Sequence, residues 1–325
     1  MSNREASRVE TVCVGEATSG PAHEVVEGRE VPISRTSLVN RTLPHRDRRM
    51  VGAWCFVDTY GPDAVITLPG MRVPPHPHTG LQTVSWLLEG TIEHRDSLGS
   101  LQRVVPGELN LMTAGRGIAH SEVSPPDRPS TLHGAQLWIA LPDADRRVEP
   151  RFEHVTDLPV VRLPGVVATV LVGELHGTGR RSPARVHTPL VGADLRVDGV
   201  AQVPLDPAFE HAVVVLDGEV VVDGEALRPG PLLYLGCGRS TLDVGSGGGR
   251  CLLLGGEPFE EEILMWWNFV ARTHEEVVAA REEWMASLAE GAPSGRFGQV
   301  VGYDGAPLPA PALPTSRLRP RGRAR

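Results

Sequence analysis

The sequence predicts an all-β protein of two domains, and three observations carry that expectation. The chain has 325 residues, enough to bury two cores of moderate size. Its 36 Gly and 29 Pro break it into many short runs, which favours strands joined by turns over helices. The runs also recur in the same order in both halves. Trp86-Leu-Leu-Glu-Gly-Thr-Ile-Glu is answered by Val215-Leu-Asp-Gly-Glu-Val-Val-Val, and Val105-Pro-Gly-Glu-Leu-Asn-Leu by Arg228-Pro-Gly-Pro-Leu-Leu-Tyr. With Gly90 set against Gly218 and Pro106 against Pro229, the two spacings are 16 and 11 residues, as expected of an internal duplication with one loop shortened.

Taken in order, residues 1–22 are polar with Gly and Ser, so a flexible N-terminus is expected, with structure beginning near Val25. A first β unit is expected over residues 23–142. Residues 50–60, Met-Val-Gly-Ala-Trp-Cys-Phe-Val-Asp-Thr-Tyr, read as a core strand stopped by Gly61-Pro62. Asp58 stands in that run as an unpaired polar group and is a candidate support for a site. Residues 83–90 and 91–99 read as strand, turn, strand, residues 104–107 as a turn, and 108–115 and 131–142 as further strands.

Residues 143–150 are charged and end in proline, which fits a linker, and 151–258 form the second β unit. Over 259–300 the pattern changes. Met265-Trp-Trp-Asn-Phe-Val270 is a dense apolar block expected to close over one of the units. Thr273-His-Glu-Glu276 is a capping box, and Val277, Arg281, Trp284, Met285 and Leu288 follow at helical spacing, predicting an amphipathic helix that ends at Gly291. In the Pro/Arg-rich tail, residues 301–325, arginine alternates with Pro and Gly, so a solvated, disordered segment is expected.

The net charge of −8 gives no global basic field, and direct nucleic-acid binding is not expected. Cys13, Cys55, Cys237 and Cys251 are scattered without a CxxC pair, as in a reducing compartment where thiols serve as small buried hydrophobes. No signal-peptide core and no apolar run of membrane-spanning length is seen, so a cytoplasmic protein is expected.

Chemistry concentrates in two short stretches. Pro74-Pro-His-Pro-His-Thr-Gly80 places His76 and His78 two apart, and Gly117-Ile-Ala-His-Ser-Glu122 does the same with His120 and Glu122. Residues i and i+2 of a strand share a face, so two facing strands can make a four-ligand nest. Three imidazoles and a carboxylate suit a mononuclear divalent transition metal better than Ca or Mg. Pro77 fixes φ between the two histidines, and Gly80, Gly115 and Gly117 let backbone pass close to the mouth. His94 follows a strand in the same unit and could line the pocket or orient a ligand, but it, His45 and His133 are expected to be surface or satisfied histidines outside the metal set. The duplication supplies a control: Pro204 and Asp206 fall where His76 and His78 stand, and Glu210 and His211 nearby read as structural. The second unit is expected to lack metal ligands.

Residues 75–90, 94–100 and 106–122, with their Pro-His-Pro-His-Thr-Gly and Gly-Ile-Ala-His-Ser-Glu motifs, resemble the pirin family of the cupin superfamily. The likeness is most specific over residues 40–140 and continues through Gly255-Gly-Glu-Pro-Phe259 and the capped helix to Gly295-Arg-Phe-Gly298. It implies a bicupin, two antiparallel β-barrels of the jelly-roll type with a C-terminal helix, holding one non-haem Fe(II) on His76, His78, His120 and Glu122. These ligands would also bind Mn, Co, Ni, Cu or Zn. Where the general cupin pattern has a glutamate after the His-x-His pair, Thr83 stands here, and the carboxylate comes from Glu122 instead.

Four protein ligands leave two positions on a six-coordinate metal, and the site would carry a single net positive charge suited to an enolate. The resemblance implies a quercetin 2,3-dioxygenase-type oxidoreductase acting on a small aromatic or enolisable substrate with O₂, with the metal as Lewis acid and Glu122 as ligand and proton acceptor. The alternative it implies is a metal-dependent regulatory module with a protein partner and no turnover. A cupin-type sugar isomerase would need phosphate-binding basic residues, and the sequence shows no clear set.

Overall fold

The structure, a computed structural model, describes residues 20–33, 38–64, 70–289 and 295–324. The first half supplies strands β1 (Pro21–Val26), β2 (Arg29–Pro32), β3 (Leu38–Leu43), β4 (Trp54–Ala64), β5 (Arg72–His78), β6 (Leu81–Glu89), β7 (Ile92–Asp96), β8 (Leu101–Val104), β9 (Leu109–Thr113), β10 (Ile118–Val123) and β11 (Thr131–Ala140). The second supplies β12 (Arg151–Val155), β13 (Val160–Leu163), β14 (Val166–Leu175), β15 (Arg180–Arg181), β16 (Leu190–Pro204), β17 (Glu210–Asp217), β18 (Val220–Val222), β19 (Glu225–Leu227), β20 (Leu232–Gly236) and β21 (Thr241–Gly256). A hairpin of β22 (Leu264–Trp266) and β23 (Phe269–Ala271), helix α1 (His274–Ala289) and a 3-10 turn at Gly295–Phe297 follow.

The duplication is visible in the pairing. One sheet runs β12-β9-β6-β11-β4-β3-β2 and another β1-β20-β17-β21-β16-β14-β13, the same order strand for strand. Gly90 after β6 and Gly218 after β17 both turn the chain at positive φ, and a short hairpin follows each. In the first unit a separate sheet, β5-β10-β7-β8, faces the large one, and Val31, Tyr60, Leu87, Val73, Ile92 and Val104 fill the space between. In the second unit β16 and β21 run unbroken for 15 and 16 residues and do the work of both layers, pairing along their whole length.

One edge strand of each large sheet comes from the other unit. β1 pairs β20, and β12 pairs β9. The expected boundaries at residues 22/23 and 150/151 are therefore crossed by reciprocal exchange. An unpaired edge exposes a row of backbone donors and acceptors, and each unit covers the other's.

Between the two large sheets lies a shared core in which Trp54, Phe56, Leu137 and Trp138 meet Leu171, Leu190, Leu252 and Leu254. Trp54 Nε1 donates to the carbonyls of Val191 at 3.2 Å and Gly255 at 3.1 Å, and Trp86 Nε1 donates to Asp194 Oδ2 at 3.0 Å. Buried indoles need such partners, and here the partners belong to the opposite unit.

Three expectations are corrected. β4 continues through Gly61-Pro62 to Ala64, because its neighbour β11 still pairs with Asp63 and Ala64. Asp58 is not unpaired: it takes a two-pronged hydrogen bond from Arg41, at 2.7 and 2.8 Å, with both side chains fully buried. The tail does not hang in solvent. Leu308 N donates to Pro75 O, Ile263 and Arg321 exchange backbone bonds, and Arg323 makes an ion pair with buried Glu210 at 3.1 Å. Arg317 and Arg323 find carboxylates on the body, which the tail's own composition does not disclose.

The helix begins as expected. Glu276 N is capped by Thr273 Oγ1 at 3.2 Å, while the Glu276 carboxylate accepts from Arg272 N at 2.8 Å. Val277, Ala280 and Trp284 are its buried face, and Trp284 Nε1 donates to Leu308 O of the tail. Gly291, the expected stop, lies outside the described residues, as do Cys13 and residues 1–19. Cys55, Cys237 and Cys251 are free and buried. Among the described residues no helix is long and apolar enough to cross a membrane.

Candidate metal centre

The two stretches singled out in the sequence lie side by side. β5 and β10 pair antiparallel with His76 opposite His120 and His78 opposite Ile118. The register then slips so that Glu122 faces Val73, which places Pro74 and Pro75 in a bulge. Proline has no N–H to lose at a bulge, and the local kink re-aims the neighbouring side chains. β10 pairs β7 on its other side, with Glu122 opposite His94 and His120 opposite Asp96.

All four expected ligands are buried, at 1% exposure or less. The ligand atoms of His76, His78 and His120 lie within 4.8 Å of one another, and so do those of His94, His120 and Glu122. His78 Nε2 and His120 Nε2 are 3.0 Å apart. Two nitrogens bound at right angles to one metal, each ~2.1 Å from it, would be separated by ~3.0 Å.

Backbone carbonyls set the tautomers. His76 Nδ1 donates to Pro74 O at 2.8 Å and His78 Nδ1 to Asn268 O at 3.2 Å, in the turn between β22 and β23. With the proton held on Nδ1, each Nε2 keeps its lone pair, the usual arrangement of a metal-ligating histidine. Burial first, and then the neighbouring His76, hold His78 and His120 well below the ordinary histidine range, so both are neutral ligands at pH 7. Lone pairs crowded into a dry site repel unless a cation lies between them. The donor set fits a divalent transition metal.

His94, left outside the metal set by sequence reasoning, belongs to the surroundings of the centre. Its Nδ1 is 3.4 Å from His120 Nδ1, and its Nε2 is 3.2 Å from Asp96 Oδ2. Asp96 is itself fixed by the amides of Leu98 and Ser100 at 2.9 and 3.0 Å. Phe152 of the exchanged strand β12 stacks on His94 with ring centres 4.4 Å apart. The row Asp96, His94, His120 thus orients a ligand through its second nitrogen. The signal was present: His94 and Asp96 are two apart on β7, the same spacing that exposed the ligands.

The other expectations resolve simply. His133 is satisfied by Leu216 O at 3.0 Å across the unit interface, and His45 lies near the surface beside Asp47. Ser85 Oγ stands between Glu122 Oε1 at 3.4 Å and Gln136 Oε1 at 2.9 Å. Gly80 and Gly115 permit close approach: a Cβ would come within 2.1 Å of Val270 O at the first and 2.0 Å of Val148 O at the second, both at positive φ. The apolar block closes over the first unit, with Val270 N donating to Thr79 O and Phe269 bridging Thr79.

Two duplicated cupin-like units, with the groups of ligand-type side chains found among the described residues lying in the first, define the class as a bicupin. The chain belongs to the pirin family: the Pirin family model matches residues 36–139 and the Pirin C-terminal cupin domain model residues 191–288. It is 46% identical over 292 residues to a Pseudomonas aeruginosa protein that carries the provisional name quercetin 2,3-dioxygenase, covering 89% of this chain and 90% of that one. It is 36% identical over 259 residues to a pirin-like protein of Caulobacter vibrioides, covering 76% of this chain and 88% of that one. The crystal structure of a quercetin 2,3-dioxygenase from Acinetobacter baumannii matches with a TM-score of 0.86 at 46% identity, over 92% of this chain and 97% of that one.

Proposed function

We propose that the chain is a mononuclear non-haem iron dioxygenase of quercetin-like flavonols, with Fe(II) held by His76, His78, His120 and Glu122. The observation that carries the reading is the burial of these side chains in two ligand-type groups that share His120, with Nδ1 of His76 and His78 tied to carbonyls. The names carried by the Pseudomonas and Acinetobacter relatives support the substrate class. When bound, the metal supplies Lewis acidity and open positions for a substrate oxygen and O₂.

The chain's own residues do the remaining work. His94, anchored on Asp96, holds the His120 ring in place. Glu122 offers a buried carboxylate that can accept the proton of the flavonol hydroxyl group as it becomes an enolate. The hairpin of β22 and β23 lies over His78 through Asn268 O and keeps water from that side of the nest.

The test is oxygen uptake with quercetin alongside metal analysis. Turnover should require bound metal and be lost in His76→Ala and Glu122→Gln. An iron-loaded protein inert to a panel of flavonols and small enediols would overturn the reading in favour of a metal-dependent regulatory module.

A further inference from the structure

Strand β5 carries His76 and His78 and, among the described strands, pairs only with β10. Two segments cover its other edge. At Thr79 it is the hairpin of β22 and β23, which also holds His78 through Asn268 O. At Pro75 it is the C-terminal tail, whose Leu308 N donates to Pro75 O at 2.8 Å. His76 leans on the second cover, because its Nδ1 partner, Pro74 O, lies in the bulge beside Pro75.

The position of Pro74 O depends on what fixes that bulge. Pro74 and Pro75 have no N–H, so neither can tie the bulge down as a donor. The tail instead grips β5 at both ends of the stretch 72–75. Arg72 donates through Nε to Tyr303 Oη at 3.3 Å and through Nη2 to Asp304 O at 2.5 Å, and its guanidinium lies over the Tyr303 ring. Pro75 O accepts from Leu308, whose side chain packs both on the core that holds Val73 and on the cluster around Trp284 and Phe297.

The tail is built for this task. In Pro307-Leu-Pro-Ala-Pro311 only Leu308 and Ala310 keep an amide N–H, and both are used, on Pro75 O and on Met285 Sδ at 3.3 Å. Helix α1 takes two of the carbonyls: Trp284 Nε1 donates to Leu308 O at 2.9 Å and Arg281 Nε to Pro311 O at 2.6 Å. Residues 281, 284 and 285 are neighbours on one helix face. Proline fixes φ at every second residue of the segment, so docking it costs little conformational entropy. The helix thus carries a stiff strap that presents one N–H to the bulge.

We propose that residues 303–311 are a strap that holds the β5 bulge in place, and that Leu308 is a positioning residue for His76 which sets how tightly the nest retains its metal. The proposal rests on the reading of His76 as a metal ligand and not on the reaction that follows.

Co(II) is the probe, because its visible absorption reports both occupancy and ligand geometry. In chelator competition on the full chain, Leu308→Pro, which removes the N–H, should weaken Co(II) retention about tenfold and alter the absorption band. Leu308→Ala keeps the N–H and loses packing, so its melting temperature should fall while Co(II) affinity stays within about twofold of wild type. Pro307→Gly with Pro309→Gly loosens the strap, keeps the Leu308 N–H and should weaken retention by about threefold. That double variant decides the matter if Leu308→Pro does not fold. Wild-type affinity and spectrum in a folded Leu308→Pro, or in the double glycine variant, would overturn the proposal and leave the nest standing. Equal losses of affinity in Leu308→Ala and Leu308→Pro would make the tail a general prop of the fold and also overturn it. A wild type that takes up no Co(II) would overturn the reading of the nest itself, and the strap's role with it.

Discussion

The first and second units share a strand order and differ in what they bring to one place. In the first, β5 and β10 are separate strands with a bulge, and His120 joins two ligand-type groups there, one with His76 and His78 and one with His94 and Glu122. In the second, β16 and β21 run continuously through the corresponding stretch, Pro204 faces Thr241, and a cavity replaces the nest. The scaffold folds without the histidines, so their presence in the first unit answers to chemistry rather than to folding.

The sharpest way to break the comparison is to remove a ligand. His120→Ala or Glu122→Gln should take bound metal from about one ion per chain to less than about a tenth, with flavonol-dependent O₂ uptake falling by roughly a hundredfold or more. Elemental analysis and an oxygen electrode read both.

Next is the seam between the units. Asp194, 1% exposed, accepts from Trp86 of the first unit and from Arg250. Asp194→Ala leaves a partly buried guanidinium and a buried indole N–H without their acceptor, and urea denaturation should show a loss of about 3 kcal/mol.

Acid should act on the second unit through His211. Its folded value of about 4 lies below the ordinary 6.5, so between these pH values the unfolded chain binds the extra proton. Stability from this group is present above pH 6.5, falls as pH is lowered through the window, and its loss is complete near pH 4, amounting to about 3 kcal/mol. Denaturation of wild type and His211→Gln at pH 7 and 4.5 should show the smaller drop in the variant.

A smaller effect is expected where the exchanged strand touches the nest. Phe152→Ala removes the ring stacked on His94 and should weaken metal retention by about tenfold in a chelator competition. No gain at all is expected from Pro204→His with Asp206→His, because the facing Thr241 offers no imidazole and no carboxylate. Metal bound by that variant would mean the two units are closer in design than their pairing indicates.

That His76, His78, His120 and Glu122 lie together on neighbouring strands was legible in the sequence because same-face geometry at i and i+2 is a local property of any strand. The repeat was legible because Gly90 and Gly218, with Pro106 and Pro229, mark turns at matching places. The capped helix showed itself through Thr273 and Glu276 in the same local way. Other features depended on neighbours that sequence order does not reveal. Asp58 looked unpaired because Arg41 lies on the adjacent strand β3. The tail looked solvated because Glu210 and the carbonyl of Pro75 are far away in the chain. Whether His94 orients a ligand or is merely satisfied was open until β7 was laid beside β10. The exchange of β1 and β12 was hidden for the same reason: an edge strand's backbone groups are alike in every sequence, and only the assembled sheets decide which edge they cover. Periodicity and spacing thus determined the strands, the repeat and the two paired His/Glu stretches from the sequence alone, while long-range pairing determined the partners and the seam.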